Sequence, residues 1–207
     1  MANNKVNFGL KNLYYAMLTA TTNEQGVTTY TWGTPVRVPG AVSIDLSNDG
    51  EMTPFYADNV VYYSTASAGG YSGSVEVAKV PDQMLTDVWG DKADATTGVM
   101  YEGAAVSRSF ALMFEFSGDI GPERYVLYNV TASRPGISSE TTTESTDPNT
   151  VSFDIRAAAL DDNFGTIQAH TNDSTQQTTY NGWFGAVVYT DQGAASAQTN
   201  KTPASGK

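Results

Sequence analysis

Residues 110–119 read FALMFEFSGD, and their alternation decides the fold class. Phe110, Leu112, Phe114 and Phe116 fall on one side of an extended chain, with Ala111, Met113 and Glu115 on the other. A period of two is the signature of a β-strand that gives one face to a core. The same pattern recurs at Val42, Ile44 and Leu46, at Val75 and Val77, and at Val151, Phe153 and Ile155. Leu13 to Thr19, Glu123 to Ala132 and Trp183 to Thr190 read as further strands, apolar on both faces in places. Turn chemistry separates these runs at Asn48-Asp49-Gly50, Ser117-Gly118-Asp119 and Arg134-Pro135-Gly136. The chain is expected to be mainly β.

One segment has a different period. From Pro81 to Gly90, the residues Met84, Leu85, Val88 and Trp89 share a helical face, with Pro suited to the start and Gly to the stop. The spacing predicts one short helix over about 82–89, packed against the strands. Ser138 to Asn149 and Thr171 to Asn181 read as Thr/Ser-rich loops. Asn48 to Asn59 reads as a long connection whose Met52, Phe55 and Tyr56 need a surface to cover them. Residues 1–190 are expected to form a single domain, and 191–207, rich in Ala, Ser, Thr, Gln and Gly, a flexible tail.

Composition excludes several function classes. The 207 residues contain no Cys, which removes disulfides, thiolate metal sites and cysteine nucleophiles. Eleven Lys and Arg stand against 22 Asp and Glu, a net charge of −11 with the acids spread along the whole chain. Gripping DNA through its phosphates requires clustered cations, and none is visible. The same shortage argues against an anionic membrane surface. No apolar run reaches the ~18 residues of a membrane span, and the first ten residues lack a secretory layout. His170, the only histidine, reads as a loop residue in solvent. No nucleophile elbow and no phosphate-binding glycine loop occurs. Asp161-Asp162-Asn163 lacks the spacing of a calcium loop and reads as a turn. A glycosidase needs two acids ~5 to 9 Å apart, which is a spatial arrangement that no spacing here marks. No catalytic, metal-binding or cofactor-binding residue is assigned.

Six stretches, taken in order, carry a resemblance. VNFGLKNLYYAML (6–18), GAVSIDLSNDGEMTPFYADN (40–59), YSGSVEVAKVPDQ (71–83), FALMFEFSGD (110–119), RYVLYNVTASRPGISSET (124–141) and TVSFDIRA (150–157) are similar to the major tail protein of long-tailed, non-contractile phages of Gram-positive bacteria. The similarity spans Val6 to Ala157, and the polar segment after Leu160 departs from it. The resemblance implies an antiparallel β-sandwich or barrel of the tail tube type with a flanking helix. It implies no enzyme but a structural virion protein, assembled in the host cytoplasm, whose hexameric rings stack into a tube for genome delivery. The implied partners are further copies of itself, the tape-measure protein, the tail terminator and the distal tail proteins. DNA would cross the lumen without specific binding.

Under that resemblance, the long connection is expected to meet the adjoining ring through Asp49, Glu51, Met52, Phe55, Tyr56 and Asp58. The polar faces of three strands each carry a central acid, Asp45, Glu76 and Glu115, expected to line the lumen and repel phosphate. Two other readings remain open: a carbohydrate-binding β-sandwich presenting Trp32, Trp89 and Trp183, and another virion structural protein such as a decoration or connector protein.

Overall fold

The structure, a computed structural model, describes residues 6–66, 69–104, 106–139 and 149–191. The expected tail from residue 192 and most of the Ser138–Asn149 loop lie outside the described residues. In chain order the elements are β1 (Asn7–Thr22), β2 (Thr28–Trp32), β3 (Val36–Arg37), β4 (Ala41–Asn48), β5 (Met52–Ala57), β6 (Val60–Ala66) and β7 (Tyr71–Val77). There follow α1 (Asp82–Trp89), β8 (Lys92–Ala93), β9 (Met100–Tyr101), β10 (Phe110–Gly118), β11 (Glu123–Ala132), β12 (Val151–Ala157), β13 (Gln168–His170) and α2 (Gln177–Gly182). Among the described residues no helix is long and apolar enough to cross a membrane.

The main sheet is antiparallel and runs β2-β1-β10-β11-β12-β7-β4, with β3 beside β1 and β13 beside β11. It is an open sandwich and does not close into a barrel, because β2 and β4 remain at its two ends. One core lies between its halves: Leu13, Tyr15, Phe110, Leu112, Phe114 and Leu127 face Val75, Val77, Phe153 and Ile155. Phe110, Leu112, Phe114, Val75, Val77, Phe153 and Ile155 are residues that the period-two pattern assigns inward, whereas Leu13, Tyr15 and Leu127 come from strands read only as apolar on both faces in places. Val42 is the exception at 48% exposure, because a bulge between Ala41 and Ser43 breaks the alternation at the start of β4.

The helix at 82–89 forms as its spacing predicts. Pro81 occupies the N-cap position, and Gly90 closes the helix in the left-handed conformation (φ 79°), its N–H bonded to Thr86 O at 3.2 Å. Met84, Val88 and Trp89 are buried in the core, at about 1.5–3 kcal/mol for each large apolar side chain. Trp89 Nε1 donates to Ala132 O at 3.3 Å, and its ring meets Phe153 edge-on at 5.8 Å.

The second face of the sheet corrects the sequence reading. Ala111, Met113, Val126 and Tyr128 form a second buried cluster with Ala16, Leu160 and Trp183. What covers them is the C-terminal segment after Leu160, which its polar composition had left unplaced. Trp183 to Thr190 is irregular chain and not a strand. The stretch Thr171 to Asn181 holds most of a second helix, α2. Phe184 stacks on Tyr14 at 4.8 Å, Tyr128 Oη donates to Val188 O at 2.6 Å, and Tyr189 packs on Trp32 at 5.1 Å. Arg124 ties the segment down: its guanidinium lies 3.9 Å from the Tyr180 ring centroid and donates to Tyr180 O.

Candidate assembly surfaces

The connection expected at 48–59 is the first half of a hairpin. β5 and β6 pair with each other alone, Phe55 opposite Tyr63 and Ala57 opposite Val60. Asp58 and Asn59 turn the chain, both at positive φ (52° and 60°), as a two-residue hairpin turn requires. The arm grows out of the paired ends of β4 and β7, where Asn48 faces Tyr71 and Asp49 N–H bonds Gly70 O at 2.9 Å.

Its side chains are exposed on both faces of the hairpin: Phe55 60%, Tyr56 63%, Val60 58%, Val61 53%, Tyr62 74% and Tyr63 62%. The arm therefore does not fold back on its own domain. Six consecutive or paired apolar side chains left in water are a surface that calls for a partner. Of the acids expected here, Asp58 sits at the tip and Asp49 at the base, where Asp49 accepts from Ser72 Oγ at 2.5 Å and lies 3.7 Å from Arg156. Glu51 is exposed beside the base, and the Met52 side chain lies outside the described residues.

The second surface is the polar face of β4, β7 and β12. Register places Asp45, Ser74 and Asp154 in one row, and Ser43, Glu76 and Ser152 in the next. An open hollow there is lined by Asp45, Ser47, Ser72, Ser74 and Asp154. Glu76 accepts from Thr150 Oγ1 and from Ser43 Oγ (2.9 Å), and these bonds hold its carboxyl below the usual range. Asp154 belongs to this face although it was not among the expected acids. Its place in the Val151–Ile155 alternation is the signal that would have found it.

Glu115 does not belong there. It is 4% exposed on the covered side of β10, bonded to Arg124 Nε at 2.8 Å and to Asn12 Nδ2 at 3.2 Å. An acid on an alternating strand reads as solvent-facing only while nothing covers that side, and here Arg124 stands directly opposite on β11.

Other sequence candidates resolve plainly. His170 ends strand β13, exposed and stacked on Tyr125 at 5.5 Å, instead of lying in a loop. The 161–163 turn is built on Asp162, which accepts from Thr166 N–H at 2.9 Å and Tyr189 Oη at 2.9 Å. Burial alone would raise the Asp162 pKa, but these bonds outweigh it and lower it. Trp89 and Trp183 are buried, and Trp32 is enclosed by Tyr30, Tyr128 and Tyr189, so none of the three indoles forms an open stacking platform. Among the described residues no three acid or His side chains gather around a metal position.

No protein-family model matches the chain, and no curated protein matches it. Among solved structures, a chain of the anti-feeding prophage (AFP) baseplate, from a 6-fold symmetrised cryo-EM structure, superposes with a TM-score of 0.44 at 9% identity. The match covers 84% of this chain and all of that one.

Proposed function

We propose that this chain is a structural protein of a phage virion, the subunit of a tail tube whose hexameric rings stack into a conduit for the genome. The observation that carries this reading is the arm, β5 and β6, which gathers exposed apolar side chains on both faces of one hairpin, whereas elsewhere among the described residues they are scattered over several loops and strand ends. A monomer gains nothing from holding Phe55, Tyr56, Tyr62 and Tyr63 in water, whereas a stacking subunit buries them at every joint. Two further features support it. The sheet ends in β2 and β4, whose open edges a neighbour in a ring would pair. The ordered similarity from Val6 to Ala157 points to the same family.

In this reading Asp45, Glu76 and Asp154 line the lumen. Like charge keeps passing phosphates from adhering, and at ~8 Å screening a wall of acids acts on whatever crosses within a few side-chain lengths. Tape-measure, terminator and distal tail proteins would set the length and ends of the tube.

Negative-stain electron microscopy of the purified protein, first dilute and then concentrated, tests the proposal. Rings or hollow tubes of uniform bore are expected, with the distal tail and tape-measure partners added as initiators where the subunit alone stays monomeric. Failure to polymerise with those partners present would sink the tube reading.

A further inference from the structure

The segment that covers the second face of the sheet is attached differently from the strands beneath it. Its backbone pairing with β11 reaches Thr171, whose N–H bonds Arg124 O at 2.9 Å and whose Oγ1 accepts from Arg124 N–H at 3.0 Å. Among the described residues, Asn172 to Tyr189 make no backbone-to-backbone hydrogen bond with the sheet. Side chains hold them instead. Phe184 stacks on Tyr14, Tyr189 packs on Trp32, and Trp183 enters the buried cluster. Arg124 donates to Tyr180 O, Tyr128 Oη to Val188 O, and Tyr180 Oη to Pro122 O at 3.0 Å. Helix α2 itself has six residues, no side-chain cap at its start and no buried residue, and is too short to persist without packing.

Lifting this segment therefore breaks no strand pairing. The charges beneath it keep their partners: Glu115 retains Arg124 Nε at 2.8 Å, and Asp162 retains Thr166 N–H at 2.9 Å. The hydroxyls of Tyr128, Tyr180 and Tyr189 exchange a protein acceptor for water, which is close to an even trade. Trp183 gains from exposure. It is 3% exposed, yet its indole Nε1 has no acceptor, and a buried donor without a bond carries the full cost of desolvation. What opposes opening is chiefly the apolar contact of Trp183, Phe184, Val187, Val188 and Tyr189. Regions held in this way open at a lower free energy than the fold as a whole.

We propose that residues 172–189 form a strap that opens as one unit while the sheet stays folded, hinged at Thr171 and latched by Arg124. The latch guanidinium lies 3.9 Å from the Tyr180 ring centroid and 5.1 Å from that of Phe184. Closed, the strap hides the apolar face of Ala16, Ala111, Met113, Val126 and Tyr128. Open, it presents that face without unfolding the domain. The device belongs to the fold and does not depend on what the chain assembles into.

The chain has no native Cys, so a buried thiol reports opening through its rate of labelling. Ala111→Cys places a thiol under the strap and Ala157→Cys one in the main core, both at positions with 0% exposure. Ala16→Cys and Ala132→Cys repeat the comparison should either variant fail to fold. Each labelling rate is referred to that variant's own stability in urea. The thiol at 111 is expected to label at least ~10-fold faster than the thiol at 157. Its urea dependence should also be shallower, because the strap exposes less surface than global unfolding does. Phe184→Ala, which removes the stack on Tyr14, is expected to speed labelling at 111 by about 10-fold and to leave 157 unchanged. Labelling at 111 no faster than at 157, or equal acceleration of both sites by Phe184→Ala, overturns the strap.

Discussion

Gly73 lies in the middle of β7 with a strand on each side, and a Cβ there would stand 1.8 Å from Asp45 O. Backbone cannot yield by that amount without breaking the β4 pairing that carries the arm. Gly73→Ala is expected to cost at least ~3 kcal/mol, in the range of severe single substitutions, read as a large fall in melting temperature or loss of soluble protein. At Arg124 the loss is electrostatic. Arg124→Met removes the ion-pair partner of the buried Glu115 and leaves it only the Asn12 amide, a loss of about 3–5 kcal/mol for one half of a buried pair. It also removes the guanidinium from the Tyr180 ring and carbonyl, leaving Tyr180 held by its hydroxyl's bond to Pro122 O, so hydrogen exchange should rise over residues 177–189 before it rises in the core. Glu115 shows what a sequence leaves out at this scale. Its alternation with Phe114 and Phe116 was legible, but whether its side of the strand met water depended on Arg124 and a covering segment some 60 residues further on.

Among the elements, the strands β4, β7 and β12 were legible because the period of two is set by backbone geometry and needs no partner to be seen, whereas β2, whose Tyr30 and Trp32 alternate with threonines, went unread. The helix at 82–89 was legible for the same reason, with its boundary residues Pro81 and Gly90 in place. The arm was half legible. Phe55 and Tyr56 marked it as a surface needing cover, while Asp58-Asn59 between Ala57 and Val60, a pair suited to left-handed backbone, was the unread sign of a hairpin turn. The covering segment was the least legible element. Trp183, Phe184, Val187, Val188 and Tyr189 were apolar enough to suggest a strand, yet they pack individually and carry no period. Because the arm contributes little to its own domain, Phe55→Asp is expected to leave the melting temperature within the small range of surface changes, about 0.5 kcal/mol, and to abolish stacking by electron microscopy. Normal tubes from that variant would remove the arm from the joint.

For the whole molecule, the titrating groups define a window of stability. Asp91, held down by its Arg134 hydrogen bonds, and Glu76, Asp94 and Asp162 all have carboxyls below their ordinary range in the folded state. Such groups stabilise fully above the unfolded carboxylate pKa of ~4 and lose that contribution as pH falls through their folded values. Burial moves the Tyr128 hydroxyl up to about 12, and burial together with Glu123 does the same for Tyr125. Their contribution is complete below the unfolded Tyr pKa of ~10 and disappears as pH rises through 12. Thermal melts across pH should be flat from about 5 to 9 and fall on both sides. At the same scale, Asp45→Lys combined with Glu76→Lys is expected to leave assembly intact and impair DNA delivery, measured as infectivity of otherwise normal particles. Full infectivity would place that face away from the channel.

The cation-free stretch that contains the arm dictates how the chain meets proteases. Trypsin has no site between Arg37 and Lys79, so it passes over the exposed β5–β6 hairpin and releases it, once the chain unfolds, as the single peptide Val38–Lys79. Chymotrypsin finds Phe55, Tyr56, Tyr62 and Tyr63 on the surface of the same hairpin. A free subunit should therefore be nicked within the arm by one enzyme and spared there by the other, and seating the arm in a neighbour should erase the difference. The ratio of the two cleavage rates then counts seated arms in solution, in samples too dilute or too heterogeneous to image.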